Sequence, residues 1–114
     1  MENEPKCEID EYGIKRWKLN GNLHREDGPA IEWDEGSQYW YKHDLPHRLD
    51  GPAVIQHHNK LLKFHNKPKI IWFINGHNVT DEIRTWAKDN DIDLDNLTED
   101  DKLLIKLVWA DYGR

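Results

Sequence analysis

Two sets of side chains in this sequence have the types needed for chemistry, and they are copies of one another. His24, Arg25 and Asp27 recur as His47, Arg48 and Asp50, each set inside an HR-x-DGPA block and offset by 23 residues. An imidazole, a guanidinium and a carboxylate this close could act as base, anion clamp and orienting acid. Duplication argues against that use. A reaction centre is needed once, whereas a turn-stabilising network is needed in every unit. Arg can bond the carbonyls of the Asp-Gly-Pro turn or pair with its Asp, and His can cap a turn. The sets are therefore read as structural, with ligand or partner contact as the alternative.

The seven histidines raise the question of a metal. His57 and His58 would point to opposite faces of a strand, and His43 and His47 flank a turn. With Cys7 as the one cysteine, a site would need His and carboxylates converging from separate strands. Asp89, Asp91, Asp93 and Asp95 alternate as in a calcium loop, but Leu94 stands where that loop needs glycine. Asp100 stands where it needs a bidentate Glu. No metal and no cofactor is expected. There is no phosphate loop and no nucleophile elbow, so an enzyme is not expected either.

The positioning elements have to fit into 114 residues, which suits one domain. Mean hydropathy is -0.97. Six Trp, four Tyr and two Phe nonetheless supply large apolar surfaces that a disordered chain lacks. No apolar run approaches the ~20 residues that cross a bilayer, and the first residues have no signal-peptide core. The lone cysteine and these absences lead to the expectation of a cytoplasmic protein. A net charge of -6 argues against direct nucleic-acid binding.

The 23-residue offset also carries Trp17 onto Trp40 and Gly13 onto Gly36. A degraded third copy starts at Trp72, has Val79 in place of the histidine, and lacks DGPA. Asn20-Gly21 and Asn75-Gly76 are hairpin turns, because a type I′ turn needs positive φ at both central residues. Asp27-Gly28-Pro29 and Asp50-Gly51-Pro52 are turns of a second kind, with glycine expected to take an unusual φ. Short strands are predicted at Ala30–Trp33, Gln38–Tyr41, Ala53–Gln56, Leu61–Phe64 and Ile70–Phe73. His65-Asn66-Lys67-Pro68 turns between the last two. Cys7 falls in a start segment expected to be flexible.

After Thr80 the apolar period changes from two to about 3.6. Thr80 and Thr98 are expected helix caps, each followed by acids. Ile83, Trp86 and Ala87 share one helical face. Leu103, Leu104, Leu107 and Val108 form an apolar stripe expected to cover the Trp-rich face of the meander. Trp17, Trp33, Trp40 and Trp72 would then be core. The predicted fold is α+β: an antiparallel β-meander of hairpins over residues 11–79, then a two-helix hairpin over 80–114.

The period, the aromatics before an Asn-Gly turn, the following histidine and the Glu35-Gly36-Ser37 segment together resemble the MORN repeat. Leu23-His24-Arg25-Glu26-Asp27-Gly28-Pro29-Ala30 is similar to a variant found in proteins of tailed phages and large DNA viruses. The C-terminal tail resembles the ends of small phage proteins. The resemblance implies stacked hairpins used as a scaffold for protein contact, self-association or, in some members, lipid headgroups. Here the usual His-Gly-x-Gly is replaced within Arg-x-Asp-Gly-Pro.

Charge gives the functional expectation its direction. Residues 1–76 are nearly neutral, with 11 bases and 12 acids, while residues 77–114 hold 5 bases and 10 acids. The expected function is a small protein-binding module, in a phage a modulator or inhibitor of a host protein, acting by occlusion in the host cytoplasm. Its binding residues would be Asp89, Asp91, Asp93, Asp95, Glu99, Asp100 and Asp101, steering toward a basic partner. A nucleotide sponge lined by Trp40, Lys60, Lys63, Lys67, Lys69 and Trp72 is the second reading. Acidic DNA mimicry is the third. No membrane contact is expected, and a homo-oligomer through an edge strand stays open.

Overall fold

Three tight turns set the architecture. Asn20-Gly21 (φ 52° and 84°), His43-Asp44 (51° and 65°) and Asn75-Gly76 (50° and 84°) all lie in the left-handed region at both central positions. That geometry matches the twist of flanking strands and closes a two-residue hairpin. The middle turn was legible only through the repeat: the 23-residue offset lays Asn20-Gly21 over His43-Asp44. Neither residue is glycine, so the local signal is weaker than at the Asn-Gly turns, and the turn takes in His43 itself rather than lying between His43 and His47.

The computed structural model describes residues 3–57 and 67–114. Its strands are β1 (Lys6–Ile9), β2 (Lys15–Leu19), β3 (Asn22–Leu23), β4 (Ile31–Glu32), β5 (Gln38–Tyr39) and β6 (Tyr41–Lys42). They continue with β7 (Leu45–Pro46), β8 (Val54–Gln56), β9 (Lys69–Ile71), β10 (Phe73–Ile74) and β11 (His77–Asn78). Two helices follow, α1 (Thr80–Asp89) and α2 (Glu99–Trp109). The main sheet runs β1-β2-β4-β5-β8-β9, antiparallel throughout, with β3 paired to β2. The hairpins β6–β7 and β10–β11 stand beside it. The fold is thus α+β, a strand meander followed by two helices. The expected strand Leu61–Phe64 and residues 65–66 of the expected turn lie outside the described residues.

Each hairpin tip leans on the one before. Asp44 N–H donates to the Leu23 carbonyl (2.9 Å), and Gly76 N–H to the Pro46 carbonyl (3.0 Å). Within each unit the third strand segment closes on the tryptophan: His24 N–H to Trp17 O (3.0 Å), His47 N–H to Trp40 O (3.0 Å), Val79 N–H to Trp72 O (2.8 Å). Val79 therefore keeps the backbone role of the lost histidine.

Several expectations need correction. The start is not free: β1 pairs along β2, with Cys7 opposite Trp17. Gln38–Tyr41 is broken into β5 and β6, because Trp40 N–H turns to the Ala53 carbonyl (2.7 Å). Thr80 is not the cap of α1. Val79 holds that position, and Thr80 Oγ1 accepts from Trp72 N–H (3.0 Å) while donating to Asn78 Oδ1 (2.7 Å). In the first two units the tryptophan N–H goes to the alanine of DGPA, Ala30 or Ala53, so α1 begins where the third unit's DGPA block would stand. Thr98 does cap α2, in a capping box with Asp101.

The core gathers at the third unit and the helices: Trp72, Ile74, Val79, Ile83, Ile105 and Trp109, with Trp86, Leu94 and Leu97 against it. The predicted stripe of α2 faces outward instead. Leu103, Leu104, Leu107 and Val108 are 57%, 38%, 75% and 52% exposed, while Ile105 is 0% and Trp109 8%. Ile105 and Trp109 are four residues apart and share the opposite side of the helix. Ile105 and Trp109 are the α2 side chains that join Trp72 in the core. Trp33 is exposed as well, and Trp17 and Trp40 are half-buried outside the helical core.

Candidate functional site

The duplicated sets build the same object twice. Arg25 Cζ lies 4.2 Å from the centre of the Trp17 ring, and Arg48 Cζ lies 3.8 Å from that of Trp40. Arg25 Nε donates to Asp27 (3.2 Å) and Nη1 to the Pro29 carbonyl (3.1 Å). Arg48 Nε donates to Asp50 (2.9 Å) and Nη1 to the Pro52 carbonyl (3.2 Å). On the far side of each guanidinium is a glycine. A Cβ on Gly28 would meet Arg25 Cζ at 2.7 Å, and one on Gly51 would meet Arg48 Cζ at 2.6 Å. Neither glycine has positive φ. The DGP turn needs glycine for close approach of the arginine, which corrects the expectation of an unusual φ.

The histidines link successive units. His24 is buried, and its Nδ1 accepts the N–H of His43 (3.0 Å). His47 Nδ1 accepts the N–H of Asn75 (2.8 Å). Each imidazole thus satisfies a turn N–H in the next hairpin, and the ring proton of a neutral histidine must sit on Nε2. In the first unit that Nε2 reaches Glu26 Oε1 (3.2 Å), whose Oε2 pairs with Lys42 (3.2 Å). In the second unit Leu49 stands in the place of Glu26. Burial, aided by the charges of Lys42 and Arg114 and opposed by Glu26, holds His47 below its ordinary pKa.

At the helical end, α1 and α2 leave an open groove of about 560 Å³. Trp86 and Trp109 line it, edge to face with centroids 5.9 Å apart, together with Asp81, Glu82, Thr85 and Asp89. Glu82, Trp86 and Asp89 follow the i, i+4, i+7 spacing of one helical face. Asp81 and Glu82 were overlooked in the sequence because first-turn acids have a ready local explanation in the helix dipole.

Of the seven acids expected to bind, only Asp89 lines this groove. Asp93 accepts Asn96 Nδ2 (3.2 Å) and the N–H of Asp95 (3.0 Å), and these bonds, that from Asn96 foremost, lower its pKa. Asp101 accepts the Thr98 N–H (3.1 Å), and Glu99 pairs with Lys102 (3.3 Å). Asp91, Asp95 and Asp100 are exposed. At 100° per residue, Asp100 falls on the same face of α2 as the outward leucines.

The expected nucleotide lining does not assemble. Trp72 is 2% exposed within the helical core, so it cannot share a cleft with Trp40. Lys67 and Lys69 are exposed, and Lys60 and Lys63 lie outside the described residues. Among the described residues no three His, Cys, Asp or Glu side chains are grouped to hold a metal ion, and no helix is long and apolar enough to cross a membrane. No protein-family model, curated protein or solved structure matches the chain.

Proposed function

We propose that this chain is a small non-enzymatic protein-binding module whose MORN-like hairpin stack is a scaffold and whose helical end docks a partner with a basic surface. The observation that carries the reading is the groove lined by Trp86 and Trp109 and by Asp81, Glu82 and Asp89. Tryptophan faces and carboxylates together suit an Arg or Lys anchor, which gains both cation–π and charge attraction. The outward apolar stripe of α2 offers further contact area at the same end. The use of both His-Arg-Asp sets as hairpin joints supports a scaffold over a catalyst. The likeness of the repeat to that of phage proteins supports a host protein as the partner and occlusion as the mechanism.

The test is fluorescence anisotropy of a labelled helical peptide with Arg on one face and Leu on the other. It should bind the wild-type chain, and an Asp81→Lys, Glu82→Lys, Asp89→Lys variant should bind at least tenfold more weakly, mainly through slower association. Equal binding by the two proteins overturns the reading. Partners captured from a host lysate would then be screened against the same pair of proteins.

A further inference from the structure

We infer that the cleft between the first and second hairpin units is a binding site for a phosphate group, taken as inorganic phosphate or as the head of a small phosphate monoester. This site is separate from the helical groove and does not depend on the partner-binding reading. Arg25, Lys42, His47, Arg48 and Lys106 line it, with two carboxylates, Glu26 and Asp50, among them.

The carboxylates are already engaged. Glu26 takes His24 Nε2 on one oxygen and Lys42 on the other, and Asp50 takes Arg48 Nε. Although burial opposes it, Lys42, by hydrogen bond and charge, and then His24 hold Glu26 below its usual pKa. For Asp50 burial is again outweighed, by Arg48 and then Lys106. Both acids are therefore ionised, and three of the four cations in the lining are ion-paired: Arg25 with Asp27 and Glu32 outside it, Lys42 with Glu26, and Arg48 with Asp50.

Donors are left over. Lys106 forms no ion pair among the described residues, and Arg48 Nη2 forms no hydrogen bond there. His47 Nε2, which must carry the ring proton, has no acceptor there either, because Leu49 replaces the glutamate that serves His24. Arg48 is held in place by Trp40, Asp50 and the Pro52 carbonyl, so its outer edge is pre-organised for an oxyanion. The two HR-x-D copies differ at this one position, and the difference leaves the His47 ring proton without the carboxylate that His24 has. The cleft is half open and holds about 200 Å³, room for a phosphate head.

The experiment is an NMR titration of the full chain at constant ionic strength, following the His47 ring and the Trp40 indole. One arm adds inorganic phosphate, a second glycerol phosphate, and a third sodium chloride. Saturable shifts at both residues with phosphate or glycerol phosphate, absent with chloride, are expected. Response to both probes, or to inorganic phosphate alone, assigns the free ion, and response to glycerol phosphate alone assigns the monoester. Lys106→Glu, at an exposed position, should weaken binding several-fold with an unchanged melting temperature. Leu49→Gln, which offers His47 an acceptor, should weaken it also. No saturable shift, an equal response to chloride, or wild-type affinity in Lys106→Glu overturns the proposal.

Discussion

Arg48 sits over Trp40, its Cζ 3.8 Å from the ring centre, and Arg25 stands over Trp17 in the same way at 4.2 Å. The guanidinium is held between an aromatic face and a glycine, with Asp and a proline carbonyl fixing its edges. These contacts account for the Arg, Asp and Gly of R-x-DGP in both copies.

Gly51→Ala should destabilise the protein by about 1–3 kcal/mol, because the new Cβ displaces Arg48 from Trp40. Arg48→Lys should also cost stability, since an ammonium cannot bond Asp50 and Pro52 from one plane while stacking. Urea denaturation of both variants is the measurement. A Gly51→Ala protein as stable as wild type would mean that the sandwich is not a structural joint.

His47 makes stability depend on pH. Its folded pKa is lowered, burial being the main cause, whereas the unfolded value is 6.5. The unfolded chain therefore binds the proton more readily in the window below 6.5. The contribution is complete above that value and is lost as pH falls through the lower folded pKa. Protonation would also remove the acceptor of the Asn75 N–H. The urea midpoint should fall on acidification from neutrality, with a smaller fall in His47→Gln. An identical pH profile in the two proteins would contradict this.

The orientation of α2 can be checked with two substitutions two residues apart. Ile105→Ala should cost ~2–5 kcal/mol through the cavity it leaves. Leu107→Ser should change stability by less than ~0.5 kcal/mol, as for an exposed site. Melting temperatures that ranked them the other way would put the leucine stripe inside.

The two threonines have different jobs. Thr98→Ala removes a helix cap and should cost ~1 kcal/mol. Thr80→Val keeps the helix start but leaves the Trp72 N–H without its acceptor, for which ~1–3 kcal/mol is expected. Thermal unfolding of the pair measures the difference, and a neutral Thr80→Val would show that this N–H finds another partner.

What the sequence determined by itself was local. The Asn-Gly turns, the Thr98 cap, the change of period after Thr80 and the equivalence of the two HR-x-DGPA units depend on residues a few positions apart. Local backbone preference is written in such neighbours. Tertiary structure decided everything that depends on what stands opposite. It turned Leu103, Leu104, Leu107 and Val108 outward, because Ile105 and Trp109 meet Trp72 and Ile74. It moved Thr80 from cap to acceptor, because the third tryptophan has no DGPA alanine to bond. It made the histidines acceptors for the next hairpin's N–H, and it left His47 Nε2 facing a cationic cleft. A pattern along the chain shows which side chains share a face, but burial and hydrogen bonding are settled by the surface that the face meets.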